Sequence, residues 1–144
     1  MSGSPSRPPA LRGVLETAVY VEDLERSRAF YARLFGLPVM VGDDRFCAFD
    51  VAGRDVLLLF RKGGTPEPVA TPGGVIPAHD GDGRLHVAFA VAREELDGWE
   101  ARLRELGVAV ESRVAWRRGG RSIYFRDPDG HLLELATPGL WANY

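Results

Sequence analysis

Residues 85–91 read LHVAFAV, and residues 15–21, seventy positions earlier, read LETAVYV. Both stretches have the length and the apolar content of a short β-strand. Each is followed by a segment with helical periodicity that ends at a glycine, Gly36 in the first copy and Gly107 in the second. A repeat of this length predicts a duplicated fold, built from two modules of the same design.

Side-chain alternation along the two strands separates a roomy face from a bulky one. The roomy face carries one polar side chain and mostly small neighbours, namely Glu16, Ala18 and Tyr20 in the first copy and His86, Ala88 and Ala90 in the second. The bulky face carries Val19, Val21, Val87, Phe89 and Val91. We therefore predict a sheet with one face packed under a helix and the other face free to hold a ligand.

The composition is that of a globular protein of one domain or of two half-size modules. The 144 residues are 45% hydrophobic and 26% charged, with a net charge of −2. This charge gives no electrostatic footprint for nucleic acid or an anionic membrane, so we expect the partner to be a small molecule or another protein subunit. Without a signal peptide or an apolar run of membrane-spanning length, a cytoplasmic protein is expected. The single cysteine, Cys47, lies in an apolar stretch that predicts a buried, inert thiol.

Turn signals and periodicity divide the chain into five parts. We predict a flexible N-terminal arm (1–13), a first module (14–61), a Gly/Pro-rich linker or lid (62–84), a second module (85–137) and a C-terminal tail (138–144). Each module is a strand, a helix and three strands, so the fold class is α+β. The predicted helices span 24–35, with Asp23 as N-cap, and 93–106. The aromatic tail is expected to dock on the domain or on a partner subunit.

Three side chains that can bind a metal stand at matching places on the predicted strands. Glu134 lies inside an apolar strand, where an unpaired carboxylate is costly, and Glu16 and His86 open the two modules. One imidazole and two carboxylates suit Zn, Ni, Mn or Fe(II). The alternative is that the two carboxylates only pair with arginines of the second module. Candidate substrate contacts are His79, Trp116, Arg121 and Tyr124, whereas His131 is expected to be exposed.

Several stretches together resemble one superfamily over residues 14–137. These are AVYVEDLERS (18–27), FY (30–31), LFGL (34–37), LHVAF (85–89), YFRDPDGH (124–131) and EL (134–135). The chain is similar to the vicinal oxygen chelate superfamily, which comprises glyoxalases, bleomycin-resistance proteins and extradiol dioxygenases. The resemblance implies two βαβββ modules forming an open, cup-like mixed sheet with helices outside, a divalent metal, and commonly a homodimer.

The resemblance places the family's metal ligands on Glu16, His86 and Glu134. Glyoxalase I-like members add a glutamate on the last strand of the first module, where this chain has Leu57 or Leu58. Dioxygenase members use two histidines and a glutamate, so Glu16 departs from them as well.

From this resemblance we expect a metal-dependent lyase, isomerase or dioxygenase of the glyoxalase type. It would chelate a small oxygen-rich substrate on the metal, and Glu16 and Glu134 would be catalytic. The alternatives are a metal-free drug-binding protein of the bleomycin-resistance type and a degenerate structural member. Whether the site lies within one chain or is shared across a dimer stays open.

Overall fold

The structure is a computed structural model that describes residues 3–4 and 6–144. Met1, Ser2 and Pro5 of the predicted arm lie outside the described residues, and the remainder of that arm contains neither helix nor strand. In the part of the chain that is described, no helix combines the length and the apolar character that a bilayer crossing requires.

The first module follows the predicted order of one strand, one helix and three strands. Its elements are β1 (Glu16–Val21), α1 (Leu24–Phe35), β2 (Val39–Gly42), β3 (Phe46–Val51) and β4 (Asp55–Arg61). The Asp23 carboxylate accepts the Arg26 amide N–H at 3.0 Å, which satisfies a free donor at the start of α1. Gly36 ends α1 in the left-handed conformation, with φ of 67°.

The connection between the modules contains structure that the sequence did not predict. Within this connecting segment (residues 62–84), β5 (Val69–Thr71) and β6 (Gly74–Ile76) form an antiparallel hairpin. The hydroxyl of Thr71 donates to the carbonyl of Gly74 at 2.7 Å and closes the turn. The hairpin was missed because Pro and Gly dominate this stretch and only three residues on each side pair.

The second module repeats the design of the first. It comprises β7 (His86–Ala90), a 3-10 turn (Arg93–Glu95), α2 (Leu96–Glu105), β8 (Ser112–Ala115), β9 (Arg121–Arg126) and β10 (Leu132–Ala136). The predicted helix over 93–106 is thus a 3-10 turn followed by a shorter α-helix.

Each module forms a four-stranded mixed sheet. The orders are β1-β4-β3-β2 and β7-β10-β9-β8, with β1–β4 and β7–β10 parallel and the other pairs antiparallel. Among the described residues, β1 and β7 each pair on one side only, so each is the edge of its sheet. The α+β class and the tandem βαβββ modules are confirmed.

One hydrophobic core serves both modules. It is formed by the bulky faces of the strands and the apolar stripes of the helices, including Val19, Leu34, Phe49, Leu103, Phe125 and Leu135. Phe35 at the end of α1 reaches Phe89 of β7, with ring centroids 4.6 Å apart. Cys47 is buried in this core, and burial raises the pKa of its thiol, as expected for an inert cysteine. The opposite faces of both sheets, which we call the inner faces, stay outside this core.

The turn between β9 and β10 fastens the second module to α1. Asp127 accepts the hydroxyl of Tyr31 at 2.7 Å, and Asp129 accepts the Glu22 amide at 2.8 Å and the Ser27 hydroxyl at 3.2 Å. Tyr31 is fully buried, and burial together with the Asp127 carboxylate raises the pKa of its phenol. These hydrogen bonds join residues about one hundred positions apart and fix the orientation of the modules.

Replacing Tyr31 by Phe is expected to destabilise the fold by about 1–3 kcal/mol, because Asp127 then loses a buried donor. Urea unfolding measures the change, and Tyr144→Phe, which removes a part-buried hydrogen bond at the tail, is the comparison and is expected to cost less. A Tyr31→Phe protein as stable as the wild type would contradict the role of this hydrogen bond.

The C-terminal tail docks on the second module through Tyr144. Its hydroxyl donates to the carbonyl of Ala136 at 2.7 Å, and its own carbonyl accepts the amide of Gly139. Trp141 nevertheless remains 67% exposed.

Candidate functional site

His86 and Glu134 come together on the inner face of the second module. Nε2 of His86 lies 3.2 Å from Oε1 of Glu134. The parallel register of β7 and β10 pairs His86 with Leu132 and Ala88 with Glu134, so the two side chains are diagonal neighbours. The Glu134 side chain is only 5% exposed, whereas that of His86 is 49% exposed. The pair therefore offers one open side to a ligand.

The hydrogen bonds of His86 leave Nε2 as its ligand atom. Nδ1 lies 2.9 Å from the carbonyl oxygen of Leu132, and a carbonyl only accepts, so Nδ1 carries the proton. In the neutral ring, Nε2 and Oε1 of Glu134 are then two acceptors facing each other, an arrangement that a proton or a cation between them relieves. Two ligands that each lie near 2.1 Å from a divalent ion are about 3.0–3.4 Å apart, so the observed spacing fits a shared metal.

A chain of hydrogen bonds holds Glu134 in place. The indole N–H of Trp116 donates to Oγ of Ser122 at 2.8 Å, and the Ser122 hydroxyl donates to Oε2 of Glu134 at 2.5 Å. Oε1 is thereby left for His86. Outer-shell partners of this kind orient a metal ligand.

Ser122, which sequence reasoning missed, contacts the pair through its hydrogen bond to Glu134. Strand alternation carries the signal, because Ser122 and Tyr124 share a face of β9, and Tyr124 pairs with Glu134.

Substituting Ser122 by Ala is expected to lower metal affinity about 10–100-fold, since Oε2 of Glu134 loses its donor. Competition with a chelating dye measures the affinity, and Ser112→Ala on neighbouring β8 is the matched control. Equal affinities for both variants would contradict this role.

The other predicted substrate contacts take different positions. Tyr124 lies beside the pair, with its ring centroid 6.3 Å from that of His86, and burial and the Glu134 carboxylate raise the pKa of its phenol. Trp116 uses its N–H to support Ser122. Arg121 has the strand parity of Ile123 and lies on the face opposite Tyr124, so the structure does not bring it to the pair. A contact between Arg121 and a substrate stays a prediction.

Glu16 stands apart from the pair within one chain. It is exposed on β1, the edge strand of the other sheet. No three His, Cys, Asp or Glu side chains of residues 3–4 and 6–144 form a group that holds a metal. A mainly apolar cleft of about 490 Å³ separates the start of β1 from β7. A single chain thus assembles two of the three predicted ligands.

The register of the two sheets identifies the place of the fourth glyoxalase-type ligand. Glu134 pairs with Ala88, two residues after His86, and Leu58 pairs with Ala18, two residues after Glu16. Leu58, not Leu57, is therefore the counterpart of Glu134, and Leu57 points into the core at 3% exposure. The first module contributes an apolar side chain at that place.

The remaining histidines have separate roles. His131, expected to be exposed, is fully buried, so that expectation was wrong. Its Nδ1 accepts the Leu85 amide at 2.9 Å, and its Nε2–H donates to the carbonyl of Tyr20 at 2.7 Å. His131 therefore links Tyr20 of β1 to Leu85, the residue before β7. His79 lies on the inner face of the first module, next to Tyr20.

Comparisons of the sequence and of the fold with known proteins agree on the family that this chain resembles. The family model of the Glyoxalase/Bleomycin resistance protein/Dioxygenase superfamily matches residues 13–135. A metallothiol transferase FosB of Lysinibacillus sphaericus is 34% identical over 119 residues, which cover 81% of this chain and 76% of that protein.

Two solved structures extend the comparison. The lactoylglutathione lyase of Agrobacterium tumefaciens has a TM-score of 0.83 at 33% identity, covering 94% of this chain and 99% of its own. The fosfomycin resistance protein FosX of Listeria monocytogenes has a TM-score of 0.65 at 26% identity, covering 89% of this chain and 94% of its own. The names of the transferase and the lyase support an enzyme and do not favour a metal-free drug binder.

Proposed function

The chain belongs to the glyoxalase/bleomycin resistance protein/dioxygenase superfamily, and from that premise we propose that it is a metal-dependent enzyme for a small oxygen-rich substrate. The observation that carries the proposal is the bare Nε2 of His86 facing Oε1 of Glu134 at 3.2 Å, both held by hydrogen bonds on their far sides. We propose Glu16 of a second copy as the third ligand.

The two edge strands support a shared site. β1 and β7 each lack a neighbour on one side within the described chain, and Leu15 and Leu85 beside them are exposed at 69% and 37%. An unpaired strand edge offers N–H and C=O groups that can pair with another chain. In a homodimer that pairs β1 of one subunit with β7 of the other, Glu16 and His86 lie on one continuous inner face.

One imidazole and two carboxylates suit Zn, Ni, Mn or Fe(II). Such an ion, when bound, polarises the oxygens of a substrate as a Lewis acid. The chain's own residues hold the ion and border the place of the substrate. Ser122 fixes Glu134, and Glu16 is the second carboxylate ligand. Tyr124 borders the open side of His86. A carboxylate oxygen that does not bind the ion can accept a proton from the substrate.

The names of the relatives narrow the substrate. One relative acts as a metallothiol transferase, another is a lactoylglutathione lyase, and a third gives resistance to fosfomycin. Together these names point to a pairing of a thiol compound, which the first two names mention, with an oxygen-rich small molecule. We propose the same pairing here, with the thiol supplied by a small molecule because Cys47 is buried in the core.

Metal analysis tests the proposal. Protein purified without chelators, and protein reconstituted with Zn, Ni, Mn or Fe(II), is expected to contain close to one metal ion per chain by mass spectrometry. A content near zero that persists after reconstitution would refute the proposed function.

A further inference from the structure

A polar cluster of Tyr20, Thr65 and His79 lies on the first module, outside the His86–Glu134 pair. The hydroxyl of Tyr20 lies 2.7 Å from Oγ1 of Thr65 and 2.5 Å from Nδ1 of His79. Tyr20 and Thr65 are each 4% exposed, whereas His79 is exposed. The connecting segment thus brings an imidazole to the inner face of a sheet that otherwise presents Ala18, Leu58 and Phe60 there.

The hydrogen bonds of the cluster determine which nitrogen of His79 carries the proton. The Thr65 hydroxyl donates to the carbonyl of His79 at 2.5 Å, so its oxygen can only accept from Tyr20. The single hydrogen of Tyr20 is then used on Thr65, and the phenol oxygen must accept from His79. Nδ1 therefore carries the proton and Nε2 is a bare acceptor, without a hydrogen-bond partner in the described part of the chain.

The packing fixes the ring as well as its proton. The His79 ring stands edge-on to Phe60, with centroids 4.8 Å apart and planes at 74°. Tyr20 stacks on the same Phe60 at 5.6 Å. Gly81 passes over the Tyr20 ring so closely that a Cβ there would collide with it. A ring held on several sides meets a ligand with little loss of side-chain entropy.

Glu16 and Tyr20 lie on the same face of β1 and are four residues apart, which is roughly 13 Å along a strand. We infer that His79 is a ligand-contacting residue. Its Nε2 accepts a hydrogen bond from an N–H or O–H group at the end of the ligand that lies far from its metal-binding end. Tyr20 and Thr65 are positioning residues. This inference rests on the proposed function, because it takes the ion held by Glu16 as one end of the ligand.

The class of ligand follows from the length that it must span and from the hydrogen-bond donor that it must carry. Fosfomycin is a small epoxide with a phosphonate, and it is too short to reach His79 while it is bound to the ion. Glutathione is a tripeptide thiol with several N–H donors and sufficient length. The cluster therefore favours a peptide-like thiol of the size of glutathione.

Calorimetry with glutathione and with fosfomycin as probes tests the inference on metal-loaded protein. His79→Asn keeps a donor for Tyr20 but lacks Nε2, and it is expected to weaken glutathione binding about five- to ten-fold. His79→Gln, which places a polar group near Nε2, should retain most of the affinity, and fosfomycin binding should be the same in all variants. Thr71→Ala, in the hairpin of the connecting segment, is the control for a general disturbance of that segment.

Two results would overturn the inference: glutathione affinity unchanged in His79→Asn, or no glutathione binding by the wild type. Nitrogen NMR of the histidine rings gives a readout independent of any ligand, since a proton found on Nε2 of His79 also contradicts it. Metal content separates the two proposals. His79 variants are expected to keep their metal, and a metal-free wild type that still shows His79-dependent glutathione binding would refute the proposed function while supporting the His79 contact itself.

Discussion

Replacing His86 by Ala is expected to abolish stoichiometric metal binding. The pair then loses its only nitrogen ligand, and the remaining Glu134 carboxylate stays bonded to Ser122 with no second ligand on its own chain. Loss of a direct ligand exceeds the 10–100-fold effect of outer-shell changes, so affinity should fall by more than about 100-fold. Metal content after dialysis against a weak chelator measures the change.

The matched control for this experiment is His79→Ala, which removes another exposed imidazole. Its metal content should equal that of the wild type, because His79 contacts Tyr20 and Phe60 rather than the pair. A His86→Ala protein that retains wild-type metal content would show that the ion is held elsewhere, and the proposed site would be wrong.

The repeat in the sequence was sufficient to predict the modules, because local signals specify each of their elements. α1 begins after the predicted Asp23 cap and ends at Phe35, before Gly36. β3 at Phe46–Val51 and β4 at Asp55–Arg61 are two of the three strands predicted to follow that helix. In these segments, apolar periodicity, caps and turn residues all favour the same structure.

The misplaced residues depend on contacts that no local pattern encodes. His131 precedes β10, and its ring is buried because the carbonyl of Tyr20, 111 positions away, accepts its N–H. Tyr20 was interpreted only as part of the roomy face, yet the connecting segment covers it with Thr65 and His79. Such pairings arise from the packing of the modules, which strand alternation cannot specify.

In the candidate site, too, the sequence predicts the contacts within one module but not those between modules. Alternation within the second module correctly put His86 and Glu134 on one face, since β7 and β10 are neighbours in one sheet. Glu16 belongs to the other sheet, and its relation to the pair depends on how two sheet edges meet. The symmetry of the sequence gives Glu16 and His86 equivalent places in their modules, but it does not say which copy of the chain supplies each.

Mixing the variants Glu16→Ala and His86→Ala is expected to restore metal binding that neither variant shows alone. If each site takes Glu16 from one subunit and His86 with Glu134 from the other, a mixed dimer has one site with both losses and one intact site. Random exchange makes half of the dimers mixed, so occupancy should reach about one quarter of the wild-type value. Co-expression with two affinity tags allows the mixed dimer to be isolated and its metal counted.

A second mixture, His86→Ala with Glu134→Gln, is the control for this restoration. Both ligands come from the second module of the same chain and lie 3.2 Å apart, so no arrangement of the two variants contains an intact pair. Restoration in the first mixture and none in the second assigns Glu16 to the partner. If neither mixture recovers metal while the wild type binds it, Glu16 must reach the pair within its own chain, and the cleft between β1 and β7 must close for that to happen.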